Sequence, residues 1–288
     1  MNDVDQDLFK IAKEISQCRE CFRNKDFPFI ADPPDFEKKE LCKKIMIIGI
    51  NPAMQYCYED YKVDYENIRG LLENDDYDKK LSDSLKKYKK PPQENKDDNN
   101  YSRKLANLIN VILMFLDNSD NKKIPFLDKD NFYDYVYWSN ASFCPSPNTS
   151  NYNKLIRIKS DNKSGDVYKE IYKINISKRI TNCKDNISKL INVLQPKLII
   201  VAGTTYYKSI KEKIKESWGD ETSHCELEKL GKLRIISDIF KKGDDKKYVF
   251  TVTHPASAHV KGAYDNLYSE NGVNEGNDIY KAFKNWKK

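Results

Sequence analysis

Four short apolar runs organise the chain, each of strand length. Lys44–Ile50 runs into Asn51-Pro52, and Lys197–Ala202 ends at Gly203. Lys247–Thr253 runs straight into His254-Pro255, while Tyr133–Ser139 alternates aromatic and β-branched residues. Between them the apolar spacing is helical. Leu8, Ile11, Ala12 and Ile15 mark a helix within Leu8–Arg23, and Leu105, Leu108, Ile109, Ile112 and Leu116 mark another over Tyr101–Leu116. Ile180, Ile187, Leu190, Ile191 and Leu194 mark a third over Ile174–Leu194, stopped by Gln195-Pro196. Thr204–Glu216 and Tyr264–Trp286 read as further helical regions, and His224 falls in a polar loop with no assigned role.

Strands alternating with helices predict an α/β fold: a three-layer α/β/α sandwich around a four-stranded parallel sheet. Ligands of such sheets bind beyond the carboxyl ends of the strands. The informative positions are therefore Asn51-Pro52-Ala53, Asn140, Gly203-Thr204 and His254-Pro255. Two polar stretches interrupt the pattern, at about 58–100 and about 150–170, and read as insertions in a single domain spanning 1–288.

Composition narrows the function classes. The 50 Lys+Arg against 44 Asp+Glu leave a net charge of +6, too little for a polycation but compatible with a local basic cleft. No apolar run approaches the ~18 residues of a membrane span, and the polar, acidic start shows no signal peptide. A cytoplasmic location without membrane contact is expected, where disulfides are rare. The seven cysteines then read as buried hydrophobes, metal ligands or nucleophiles.

The strand ends carry the next step. Gly49-Ile50-Asn51-Pro52 follows the first strand, Asn140-Ala141-Ser142-Phe143-Cys144-Pro145 the second, and His254-Pro255-Ala256 the last. In this order they resemble the uracil-DNA glycosylase superfamily. Cys18-x-x-Cys21, Cys144 after Asn140, and Cys183 before the third strand resemble its iron–sulfur branch. The resemblance covers roughly 8–56 and 101–265. It implies a [4Fe–4S] cluster held by Cys18, Cys21, Cys144 and Cys183, with a structural zinc as the chemical alternative.

The resemblance further implies a DNA glycosylase: a hydrolase that binds DNA, removes a base and leaves an abasic site, acting as a monomer. Asn51 would orient the attacking water, and His254 would stabilise charge on the departing base. Asn140 would read the flipped base, with Tyr101 or Tyr56 stacking on it. Ser142, Thr204, Val260, Lys261 and Tyr264 would contact the DNA. Uracil is the expected substrate. A modified pyrimidine of foreign DNA, such as hydroxymethylated or glucosylated cytosine, is the alternative, as is a non-catalytic iron–sulfur DNA-binding protein. The chain departs from the branch in several places. The first motif carries Asn51 where the branch usually has an acidic residue, Ala53 stands where Gly is frequent, and the Cys144–Cys183 gap is long.

Overall fold

A computed structural model describes residues 6–8, 10–11, 14–15, 18, 20–21, 45–49, 98–116, 124–128, 131–143, 176–230, 233–242, 245–255, 257, 260–269 and 272–286. In chain order the elements are β1 (Ile45–Gly49), α1 (Asp98–Phe115), α2 (Phe132–Tyr135), β2 (Val136–Asn140), α3 (Ile176–Asn182), α4 (Lys184–Leu194) and β3 (Leu198–Ala202). There follow α5 (Tyr207–Trp218), β4 (Glu221–Leu230), β5 (Leu233–Lys242), β6 (Asp245–Val252), α6 (Lys261–Asp265), β7 (Tyr268–Ser269), β8 (Gly272–Val273) and α7 (Asp278–Trp286). Of the helix expected over Leu8–Arg23, Leu8, Ile11 and Ile15 are helical and buried.

The chain forms two compact units, each assembled from separate segments: residues 1–37, 50–93 and 140–190 in one, and 38–49, 94–139 and 191–288 in the other. The second unit holds the main sheet, in the order β2-β1-β3-β6-β5-β4. β1 pairs with β3 and β3 with β6 in parallel, as the continuous apolar runs predict. All four expected strands exist, but the sheet is a mixed one of six strands rather than a four-stranded parallel one. β5 adds to β6 antiparallel, and β4 to β5.

Alternate residues of each central strand face opposite layers. Ile45, Ile47, Leu198, Ile200, Phe250 and Val252 pack in one cluster with Leu105, Leu108 and Ile112 of α1 and Ile279 and Phe283 of α7. Phe250 meets the Phe283 and Trp286 rings edge-on at 5.1 and 5.3 Å. On the other face α5 lies over β5, with Trp218 edge-on to Phe240 at 5.8 Å. A Leu, Ile or Phe at these buried positions stabilises the fold by about 2–5 kcal/mol relative to Ala.

Other boundaries also differ from the expected ones. The region 264–286 is a short helix, a two-stranded ribbon and a final helix, because Asn266, Gly272 and Gly276 interrupt it. The helix over Ile174–Leu194 is two helices, α3 and α4. Gln195 ends α4 in the left-handed region at φ 46°, the residue before Pro196. Its amide Nε2 donates to Asn192 O at 2.7 Å.

Candidate functional site

In the first unit, cysteines distant in sequence come together. Cys183 is buried at the α3–α4 junction, where its N–H donates to Arg179 O at 2.9 Å. Cys21 is buried, Cys18 is partly exposed, and none of the three is in a disulfide. Burial pushes the Cys183 thiol up to about 11; a backbone hydrogen bond from Phe143 works against this, while the electrostatic influence of Cys21 and Cys18 adds to it. Asn182 Nδ2 reaches Cys21 Sγ at 3.8 Å. Phe143, the residue before Cys144, thus touches the same thiol. Cys144 itself lies outside the described residues, as do Asn51 and Tyr56.

Asn140 is the last residue of β2 and is half-buried. Ser142 is fully buried, and its Oγ has no hydrogen-bond partner among the described residues. The expected phosphate contact there is corrected, because a side chain without accessible surface cannot meet a phosphate.

The second unit carries the parallel strand ends. Gly203 follows β3 at φ 129°, a conformation that favours glycine, and its N–H donates to Val252 O at 2.8 Å. Thr204 is half-buried just before α5. His254 stands two residues beyond the end of β6, half-buried, and its carbonyl accepts from Ser257 N at 2.9 Å. Burial lowers the His254 pKa below its ordinary 6.5.

The preceding residue, Thr253, is fixed from three sides. Its N–H donates to Arg234 O at 3.0 Å. Its Oγ1 accepts from Arg234 N at 2.8 Å, and its carbonyl accepts from Tyr264 Oη at 2.8 Å. Tyr264 is therefore a core strut under the His254 turn rather than a DNA contact, and Val260 is likewise buried. Both expected DNA contacts are corrected on that ground. Lys261 lies in α6 and Tyr101 in α1.

A second polar cluster was not visible in the sequence. His224 sits in β4, not in a loop, directly across from Asp238 of β5. Asp238 is fully buried. It accepts from Tyr207 Oη at 2.6 Å and from Lys211 Nζ at 2.9 Å, and its Oδ1 lies 2.6 Å from His224 Nδ1. Tyr207 and Lys211 stand four apart on α5, hence on one face. Burial alone would raise the Asp238 pKa, but hydrogen bonding with Glu221, Tyr207, His224 and Lys211 holds it below its ordinary 3.8.

Glu221, His224 and Asp238 offer donor atoms all within 4.8 Å of one another. They do not fit a metal ion. The Lys211 ammonium already sits against both carboxylates, 2.6 Å from Glu221 Oε2 and 2.9 Å from Asp238 Oδ1. The local positive charge is built in. The cysteines fit better by donor chemistry, since thiolates take soft metals and iron–sulfur clusters.

No helix among the described residues is long and apolar enough to cross a membrane. No family model matches the chain, and no curated protein matches it closely enough to count as a relative.

Proposed function

We propose that the protein is a DNA glycosylase that hydrolyses the N-glycosidic bond of a flipped pyrimidine, uracil being the first substrate to test. The observation that carries the reading is the His254-Pro255 turn at the carboxyl end of β6, braced through Thr253 by Arg234 and Tyr264. Such bracing would hold the imidazole steady against a departing base. Burial keeps that ring neutral at neutral pH. A neutral imidazole can donate one hydrogen bond to the base oxygen on which negative charge develops. Asn51, two residues after β1 in the sequence, would orient the attacking water, and Asn140 would read the base edge.

The thiols support the same reading. Cys18, Cys21 and Cys183, with Cys144, would hold a [4Fe–4S] cluster whose part is structural, because hydrolysis moves no electrons.

The test is base release from oligonucleotides carrying uracil, mismatched thymine, hypoxanthine, or hydroxymethylated or glucosylated cytosine, with abasic sites revealed by alkali. Asn51→Ala and His254→Ala should each slow release by about 10²–10³-fold and leave DNA binding intact. Activity should stay level through pH 6.5 and fall only in more acid solution, because the working form of His254 is the neutral one. Unchanged turnover in both variants would overturn the mechanism. No release from any substrate would leave a DNA-binding protein.

A further inference from the structure

We infer that Lys104 is a positioning residue for His254, acting through Asp265 at the end of α6. The functional part of the inference rests on the glycosylase reading. Lys104 stands on α1 and is only 5% exposed. Its Nζ lies 3.2 Å from Asp265 Oδ1, and it meets no other charge among the described residues. That oxygen is buried and takes no well-aligned hydrogen bond among the described residues, so charge holds the contact. Withdrawing an ammonium from water is costly, and only an opposite charge offsets the cost.

The pair is the outer end of a short chain of contacts. Asp265 follows Tyr264, whose Oη donates to Thr253 O at 2.8 Å, and Thr253 precedes His254. α6 has only five residues, too few to stand as a helix unaided. Val260, Tyr264 and Leu267 pack in one core cluster with Leu105 and Leu108 of α1. Apolar packing of this kind presses α6 against its neighbours but is non-directional. The Lys104–Asp265 contact fixes one point of α6 on α1. Asn277 Nδ2, donating to Ala263 O at 2.8 Å, fixes another. With α6 so placed, the Tyr264 hydroxyl is delivered to the Thr253 carbonyl, and with it the turn that presents His254 is held.

Hydrogen exchange and base release are compared for the full chain, for Lys104→Met and for the double variant Lys104→Met/Asp265→Leu. The double variant replaces the ion pair by apolar contact, a change that buried pairs often tolerate without loss of stability. In both variants the amides of Thr253, Ser257 and Asn266 should exchange about 3–30-fold faster, the range for substitutions that act through a chain of contacts, while those of β3 keep the parent rate. Base release from the uracil oligonucleotide should slow by a similar factor at saturating substrate, with KM unchanged. Exchange that rises equally in β3 would make Lys104 a packing residue and overturn the inference. A double variant that returns to the parent exchange at the turn would overturn it too, as would parent-rate base release from a variant whose turn exchanges faster. A parent chain that releases no base would instead overturn the glycosylase reading, and exchange alone then decides whether Lys104 holds the His254 turn.

Discussion

Two buried clusters of chemically capable side chains invite comparison. Around Asp238 the polar groups answer one another: an ammonium, a phenol and an imidazole surround one carboxylate. Around Cys183 two of the neighbours are further thiols, Cys21 and Cys18, and burial outweighs the nearby positive charge of Arg179, so the sulfur stays protonated. Ion-like clusters that contain both signs of charge act as internal struts. The count of titratable residues would have ranked the Asp238 cluster first, and Lys211 reverses that ranking.

The comparison can be broken most sharply at Asp238. Asp238→Ala leaves Tyr207 without its acceptor and Lys211 with Glu221 alone, and should cost about 1–3 kcal/mol, read by urea unfolding. The pKa of Asp238 is depressed, so its contribution is present above the ordinary 3.8 and is lost as pH falls through the lower folded value. A cost under about 1 kcal/mol would remove the strut reading. Cys183→Ser sharpens the other side. If the thiols hold metal as proposed, it should abolish metal retention, whereas Cys225→Ser, at an exposed residue of β4, should leave the metal content unchanged.

Smaller effects follow. Tyr264→Phe removes the hydroxyl that holds the Thr253 carbonyl and should cost about 1 kcal/mol of stability, read by thermal unfolding; under the proposed glycosylase reading base release should drop as well, through the loosened His254 turn. Lys189→Ala breaks the exposed pair with Glu14 and should change stability by less than about 0.5 kcal/mol. A loss several times larger would mean that this pair, and not the thiols, ties the amino-terminal helical residues to α4.

The legibility of the molecule tracks burial. β1, β3 and β6 are buried on both faces, and their apolar runs mark them without ambiguity. The β4–β5 hairpin is missed because most of β4 is exposed. Thr222, Ser223, His224, Cys225 and Glu226 give no alternation of apolar and polar positions, and two register shifts interrupt what pattern there is. Gly231-Lys232 between two ten-residue segments was the available signal for a tight connection.

The places of His254 and Asn140 at strand ends are legible because the chain order marks where a strand stops. The inward roles of Tyr264 and Ser142 are not, since a loop sequence does not say which side chains turn under it. The Asp238 cluster is invisible for a different reason. It joins α5 to two strands of a hairpin that the pattern does not declare.

That hairpin also decides where the sheet stops. Without β5, the outer side of β6 would present a flat, apolar row of unpaired peptide groups, a template on which other chains can pair. β5 covers that row, and the boundary passes to β4. Bulges between Glu221 and Ser223 and between Glu226 and Glu228 break its regular spacing, and Glu226, bound to Arg234, sets charge along it. The strand that looks least like a strand in the sequence is thus the one that guards the fold against strand-by-strand self-association.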